Sequence, residues 1–225
     1  MPNVLTRFQK EVLKKIGQSE LSRFFVWSGG TALSAQYLRH RLSADLDFLS
    51  QDLLPDEYLL SQIRKIVKEL RVRKIEEQKR FNRHEFWLRR GKETLKIEFV
   101  FYPFPYIKRP KKIQEFNLKL DSLEDILTNK AHAVYERAEP KDAFDFYCLL
   151  RVKKMDFLKV FRWVEKKFGV RIDPALFISE LLKGADSLLG IKPLILNRKL
   201  FKPGVIKKYF QKEAEDYLKK KLGLS

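Results

Sequence analysis

The apolar positions follow two regimes along the chain. Val4, Leu5, Phe8, Val12, Leu13 and Ile16 recur at helical spacing, predicting a helix over Val4 to Gln18 that Gly17 would stop. Phe24 to Trp27 is a short continuous apolar run, the mark of a buried strand. Ser28-Gly29-Gly30 turns the chain, and Thr31 to Arg39 carries Ala32, Leu33, Ala35 and Leu38 at helical spacings. Asp45-Leu46-Asp47-Phe48 alternates polar and apolar. As a strand it puts both carboxylates on one face. Leu53 to Asp56 reads as a turn, and Glu57 to Leu70 as a helix with Leu59, Leu60, Ile63, Ile66, Val67 and Leu70 inward. Val72 to Glu77 is a charge-rich candidate strand. Glu85 to Arg89 and Thr94 to Phe101 are stronger ones, joined by Arg90-Gly91-Lys92-Glu93. Lys96, Glu98 and Val100 share one face of the latter, and Pro103 and Pro105 end it.

From Ser122 onward the pattern is almost purely helical. Ser122 is a candidate N-cap for a helix reaching about Ala138, and Pro140 opens another to Arg151. Further helices follow from Asp156 to Phe168, from Pro174, and from Gly204 to Lys221. The basic run Lys108-Arg109-Pro110-Lys111-Lys112 lies between the two regimes. The chain is therefore expected to be α/β over residues 1–110 and helical over residues 111–225.

Composition adds a partner. Lys and Arg outnumber Asp and Glu enough to give a net charge of +18, which favours a polyanion, most simply nucleic acid. A heat-adapted, heavily charged surface would explain many charges but not their imbalance. The single cysteine, Cys148, permits no internal disulfide and sits in an apolar run, fitting a core position in a reducing cytoplasm. The N-terminus lacks an uninterrupted apolar signal region, and no membrane span is expected. The three histidines are not spaced as a metal cluster.

The candidate chemistry lies between Phe24 and Leu49. Paired glycines let the backbone approach a ligand, and their N–H groups at a helix start suit phosphate. Asp45 and Asp47 supply hard oxygens for Mg²⁺ (or Mn²⁺). Glu98 is the candidate third metal ligand; the other reading leaves it on a solvated sheet face beside Lys96. Lys130, Val134 and Arg137 lie near one helix face, and Asp142 falls in the first turn of the next helix. These charges would act on a triphosphate, or would form an ion-pair network between adjacent helices.

In sequence order, Ser28-Gly29-Gly30-Thr31-Ala32-Leu33, then Arg41-Leu42-Ser43-Ala44-Asp45-Leu46-Asp47-Phe48, resembles the first motif of the AbiEii-type nucleotidyltransferases, a branch of the DNA polymerase β-like superfamily that includes the MenT toxins. Lys96-Ile97-Glu98 is similar to the strand that follows, and Asp125 to Lys130, Arg137 and Lys141 to Asp145 resemble later motifs. Lys141 stands where the family often has Arg. The resemblance implies a mixed-sheet nucleotidyltransferase core followed by a helical domain. It implies Asp45 and Asp47 as metal ligands, and Ser28, Gly29, Gly30 and Thr31 as the phosphate turn, with Arg41 and Ser43 also binding nucleotide. It further implies Lys130 as a triphosphate contact and Asp142 as a catalytic-site carboxylate. The implied reaction is transfer of a nucleoside monophosphate from an NTP to RNA, in some members a tRNA 3′ end, by the toxin of a toxin–antitoxin or phage-defence pair. The chain is thus expected to be a monomeric cytoplasmic enzyme with an antitoxin partner. Two other readings are a catalytically inactive nucleotide- or RNA-binding module of the same fold, and a sugar-nucleotide transferase with its own Asp-x-Asp.

Overall fold

The computed structural model describes residues 4–223. The chain divides into two compact units, Met1–Ser122 and Leu123–Ser225. The first is built on a seven-stranded mixed sheet.

In chain order the first unit contains α1 (Arg7–Gln18), α2 (Leu21–Phe24), β1 (Val26–Ser28), α3 (Gly29–Leu33), a π-helical segment (Ser34–Leu38), β2 (Leu46–Ser50) and α4 (Asp56–Glu69). Then come β3 (Lys74–Arg80), β4 (Arg83–Arg90), β5 (Glu93–Phe101), β6 (Lys111–Ile113) and β7 (Leu118–Leu120). The strands lie in the order β3-β4-β5-β2-β1-β7-β6. β2 runs parallel to β5, and β1 parallel to β7; the remaining pairs are antiparallel.

One face of the sheet is the core. Trp27, Leu46, Phe48, Phe86, Leu88, Ile97, Phe99, Leu118 and Leu120 are buried there with Phe8, Val12, Leu13 and Ile16 of α1. Each such side chain contributes about 1.5–3 kcal/mol by leaving water. Phe48 stacks on Phe99 at 5.2 Å between ring centroids, and Phe25 meets Phe99 edge-on at 4.8 Å.

Helix α1 starts later than its apolar pattern predicts, because Thr6 and Gln9 form a reciprocal capping box. Gly17 does not stop it. The glycine lies inside the helix, where a Cβ would run into the Phe116 carbonyl oxygen. Asn117 Nδ2 donates to the Gly17 carbonyl at 2.8 Å in the same crossing. The apolar run at Phe24 is divided. Phe25 N–H donates to the Leu21 carbonyl at 3.0 Å and closes a helical turn, so the strand begins only at Val26. The predicted helix over Thr31 to Arg39 widens into a π segment, in which Arg39 N–H donates to the Ser34 carbonyl at 2.9 Å. Arg39 ends it with φ of +50°. Lys111 and Lys112, the end of the basic run 108–112 expected to be a linker between the two regimes, instead form β6 with Ile113 and pair with β7. The sheet therefore continues past residue 110, and the first compact unit extends to Ser122.

The second unit contains α5 (Leu123–Glu136), α6 (Pro140–Lys153), α7 (Phe157–Phe168), α8 (Pro174–Asp186), a 3₁₀ segment (Leu188–Leu194) and α9 (Pro203–Leu222). Asp156 and Asp173 cap α7 and α8 by accepting from Lys159 N–H and Leu176 N–H, both at 3.0 Å. Phe146, Phe157, Phe161, Phe177 and Phe210 form a connected aromatic core, and Cys148 is buried as its apolar context predicts. α6 is buried from Asp142 through Leu150.

Two fully buried acids, Asp142 and Asp145, break the apolar character of α6. Lys130 of α5 answers both, with Nζ 2.6 Å from Asp142 Oδ1 and 2.7 Å from Asp145 Oδ2. Arg137 completes Asp142 through Nε at 3.0 Å and Nη2 at 2.9 Å. Burial works to raise the Asp142 pKa; Lys130 and Arg137 outweigh it and hold the carboxyl below its ordinary range. A second buried pair joins Lys167 to Asp125 at 2.7 Å.

Two predictions follow from this packing. Gly17→Ala forces a methyl into the Phe116 carbonyl and lowers stability by about 1–3 kcal/mol in urea unfolding. Asp142→Asn leaves Lys130 and Arg137 facing a neutral partner and costs about 3–5 kcal/mol. Because the folded Asp142 pKa lies below its reference value of 3.8, the wild-type advantage is complete above that pH and shrinks as pH falls through the folded pKa. Urea midpoints of the two proteins measured from neutral pH down to about pH 3 read this directly.

Candidate active site

The candidate site grows from the antiparallel pairing of β1 with β2, in which Ser28 stands opposite Asp47. Leu46, Phe48 and Ser50 are buried on one side of β2, while Asp47 and Leu49 are part-exposed on the other. Asp45 immediately precedes the strand and is likewise part-exposed. Gly29 follows β1 with φ of +77°, a conformation side chains disfavour. A Cβ at residue 29 would fall on the Asp47 carboxylate. The acid therefore packs directly against the glycine backbone.

Gly30 serves a second close approach. A Cβ there would lie 2.6 Å from Arg41 Nη2 and 3.1 Å from Ser43 Oγ. Arg41 is buried, and its Nη1 donates to the Leu42 carbonyl at 2.9 Å. Gly29, Gly30, Arg41, Ser43 and Asp47 are thus gathered at one place.

The hydroxyls of Ser28 and Thr31 face inward. Ser28 Oγ donates to Asp121 Oδ2 at 2.7 Å, and Thr31 Oγ1 donates to the Asp45 carbonyl. Both residues are buried, and these bonds tie the turn to Asp121 and to the Asp45 backbone. Ser34 Oγ similarly donates to the Arg41 carbonyl.

Two positioning residues escaped the sequence reading. Gln9 Nε2 donates to the carbonyls of Ser43 and Ala44, at 3.1 and 2.9 Å, tying α1 to the loop before Asp45. Asp121 accepts from Ser28, while its carbonyl accepts from Tyr37 OH at 2.7 Å. Gln9 lies on a helix whose pattern marks only its apolar positions, so nothing local singled it out. Asp121 could have been found as the polar end of the alternating Leu118-Lys119-Leu120 triplet.

Glu98 lies directly beside Asp47 in the β2–β5 register. Its oxygens are engaged by Lys96 and by Arg83 Nη1 at 3.3 Å. Lys96 also pairs with Glu85 at 2.7 Å. Burial works against the Lys96 charge, but hydrogen bonds to Glu85 and Glu98 outweigh it and raise its pKa. Among the described residues no three acidic, histidine or cysteine side chains are gathered in a geometry that would hold a metal. Lys130 and Asp142 belong to the helical unit, where each is the other's ion-pair partner.

Comparison with known proteins agrees with this architecture. A protein of Aquifex aeolicus, aq_aa25, described as uncharacterized, is 30% identical over 191 residues, covering 81% of this chain and 84% of its own. Among solved structures, a candidate nucleotidyltransferase from Helicobacter pylori superposes with a TM-score of 0.60 at 18% identity, over 96% of this chain and 94% of that one. JHP933 of the same organism gives a TM-score of 0.54 at 19% identity, with the same coverages. Residues 11–220 match the family described as "Nucleotidyl transferase AbiEii toxin, Type IV TA system". The chain is a nucleotidyltransferase and belongs to the AbiEii toxin family.

Proposed function

We propose that this nucleotidyltransferase moves a nucleoside monophosphate from an NTP to the 3′ end of an RNA, with a divalent metal held by Asp45 and Asp47, and that an antitoxin restrains it. The observation that carries this reading is the packing of Asp47 on Gly29, next to Gly30, Arg41 and Ser43. The donor set fits Mg²⁺ or Mn²⁺, since the carboxylate oxygens of Asp45 and Asp47 are hard ligands. When bound, such an ion offsets phosphate charge and makes an acceptor hydroxyl a better nucleophile.

The chain's own residues supply the rest. Two carboxylates would by themselves repel a triphosphate. The Arg41 guanidinium lies against Gly30, where in this reading its positive charge offsets that of phosphate oxygens brought to the turn. Ser43 Oγ adds a neutral donor at the same point. Gln9 and Thr31 hold the backbone on either side of this loop, so its donors are placed before substrate arrives. Glu98 is assigned to the Lys96–Arg83 network rather than to the metal, and Lys130 and Asp142 to the helical unit's framework. The net charge of +18 favours a polyanionic acceptor, and a tRNA 3′ end, the acceptor that the motif resemblance implies, is of that kind. No helix among the described residues is long and apolar enough to cross a membrane.

Asp45→Asn and Asp47→Asn are each expected to lower transfer of label from an α-labelled NTP into an RNA pool by at least ~100-fold, with the urea midpoint little changed. Either variant labelling RNA at the wild-type rate would contradict the assignment.

A further inference from the structure

The hairpin joining β3 to β4 ends in Phe81-Asn82, between the paired residues Arg80 and Arg83. Phe81 has a relative exposure of 101%, more than any other large apolar side chain among the described residues. Its φ is +49°, a region where hairpin turns ordinarily carry glycine or asparagine. The chain thus accepts both a backbone cost and a solvation cost to present this ring.

The tip is also held in place. Asn82 Nδ2 donates to the Phe101 carbonyl at 3.0 Å, and Phe101 N–H donates back to the Asn82 carbonyl at 2.8 Å. Arg80 and Arg83 are exposed on either side of the ring, and Lys79 adjoins them. A groove beside the tip is walled by Leu53, Phe81 and Phe101; its charged lining is Lys79, paired with Asp56, together with Asp52 and Arg83.

From Asp47 the register runs to this tip across β5 and β4, towards the Ser50 end of β2. Asp47 of β2 pairs with Glu98 of β5, which pairs with Glu85 of β4; Arg83 lies two residues further along β4 on the same face. Glu85 and Glu98 on this route are neutralised by Lys96 and Arg83. Taking about 4.8 Å between strands and about 3.4 Å per residue, the tip lies roughly 15 Å from Asp47.

We propose that the β3–β4 hairpin tip is a contact for the single-stranded acceptor RNA. Phe81 stacks on a base a few nucleotides from the reacting end, and the exposed Arg80 takes a flanking phosphate, while Arg83 stays paired with Glu98. An aromatic face between cations is the chemistry that holds single strands without reading their sequence. A protein partner fits less well, because Arg80, Asn82 and Arg83 surround the ring with polar groups. The inference rests on RNA being the acceptor.

The test measures binding of a fluorescent single-stranded RNA oligonucleotide to wild type, Phe81→Ala, Phe81→Trp and Arg80→Ala over a range of salt, with urea midpoints as the folding control. Phe81→Ala is expected to weaken binding about 5- to 100-fold and Phe81→Trp to retain it. Arg80→Ala is expected to reduce the slope of log affinity against log salt by about 0.7. If wild type binds RNA and Phe81→Ala binds it equally well, the tip is not an RNA contact, while the RNA-acceptor reading survives. If wild type does not bind RNA, both fail. Unchanged RNA binding with loss of self-association in sedimentation would assign the ring to a second copy of the chain and overturn the proposal.

Discussion

The carboxylate of Asp47 stands where a side chain at residue 29 would have to be. The rest of the active-site half depends on that steric fact. It requires glycine at the end of β1, and it places an acid beside a backbone turn rather than in open water. Glycine's conformational cost is accepted here because no other residue allows both the φ of +77° and the contact.

The surrounding architecture keeps the two chain segments in register. β1 and β2 pair antiparallel at the centre of a seven-stranded sheet, with Phe48 stacked on Phe99 beneath them. Polar ties then set the loops above: Gln9 on Ser43 and Ala44, Thr31 on Asp45, Ser34 on Arg41, and Ser28 on Asp121. Apolar packing supplies the stability, while these buried hydrogen bonds choose one loop conformation among several that the core would tolerate. Leaving any of these buried donors unpaired would cost about 1–3 kcal/mol.

Much of this was legible in the sequence because it rests on local periodicity. The glycine pair, the one intervening helix and the Asp-x-Asp alternation each announce their backbone geometry within a few residues. What was not legible depends on distant partners. The short strands β6 and β7 have too few residues for a pattern, and the basic run at residues 108–112 reads as a linker until its pairing with β7 is seen. Lys130, Arg137 and Asp142 were found by helical spacing, yet the same spacing serves a phosphate contact and an ion pair. The structure adds that Asp142 and Asp145 are buried and share Lys130, and burial cannot be read from charged residues one at a time. Glu98 shows the same ambiguity on a strand: it shares a face with Asp47, and that face also carries Lys96.

The central claim is that close approach at Gly29 makes the nucleotide site. Its most direct test is the affinity of Gly29→Ala for an NTP, titrated calorimetrically with and without Mg²⁺. The account predicts that the variant folds with its helical unit intact but loses the metal-dependent part of NTP binding. Wild-type, Mg²⁺-dependent affinity in Gly29→Ala would contradict it.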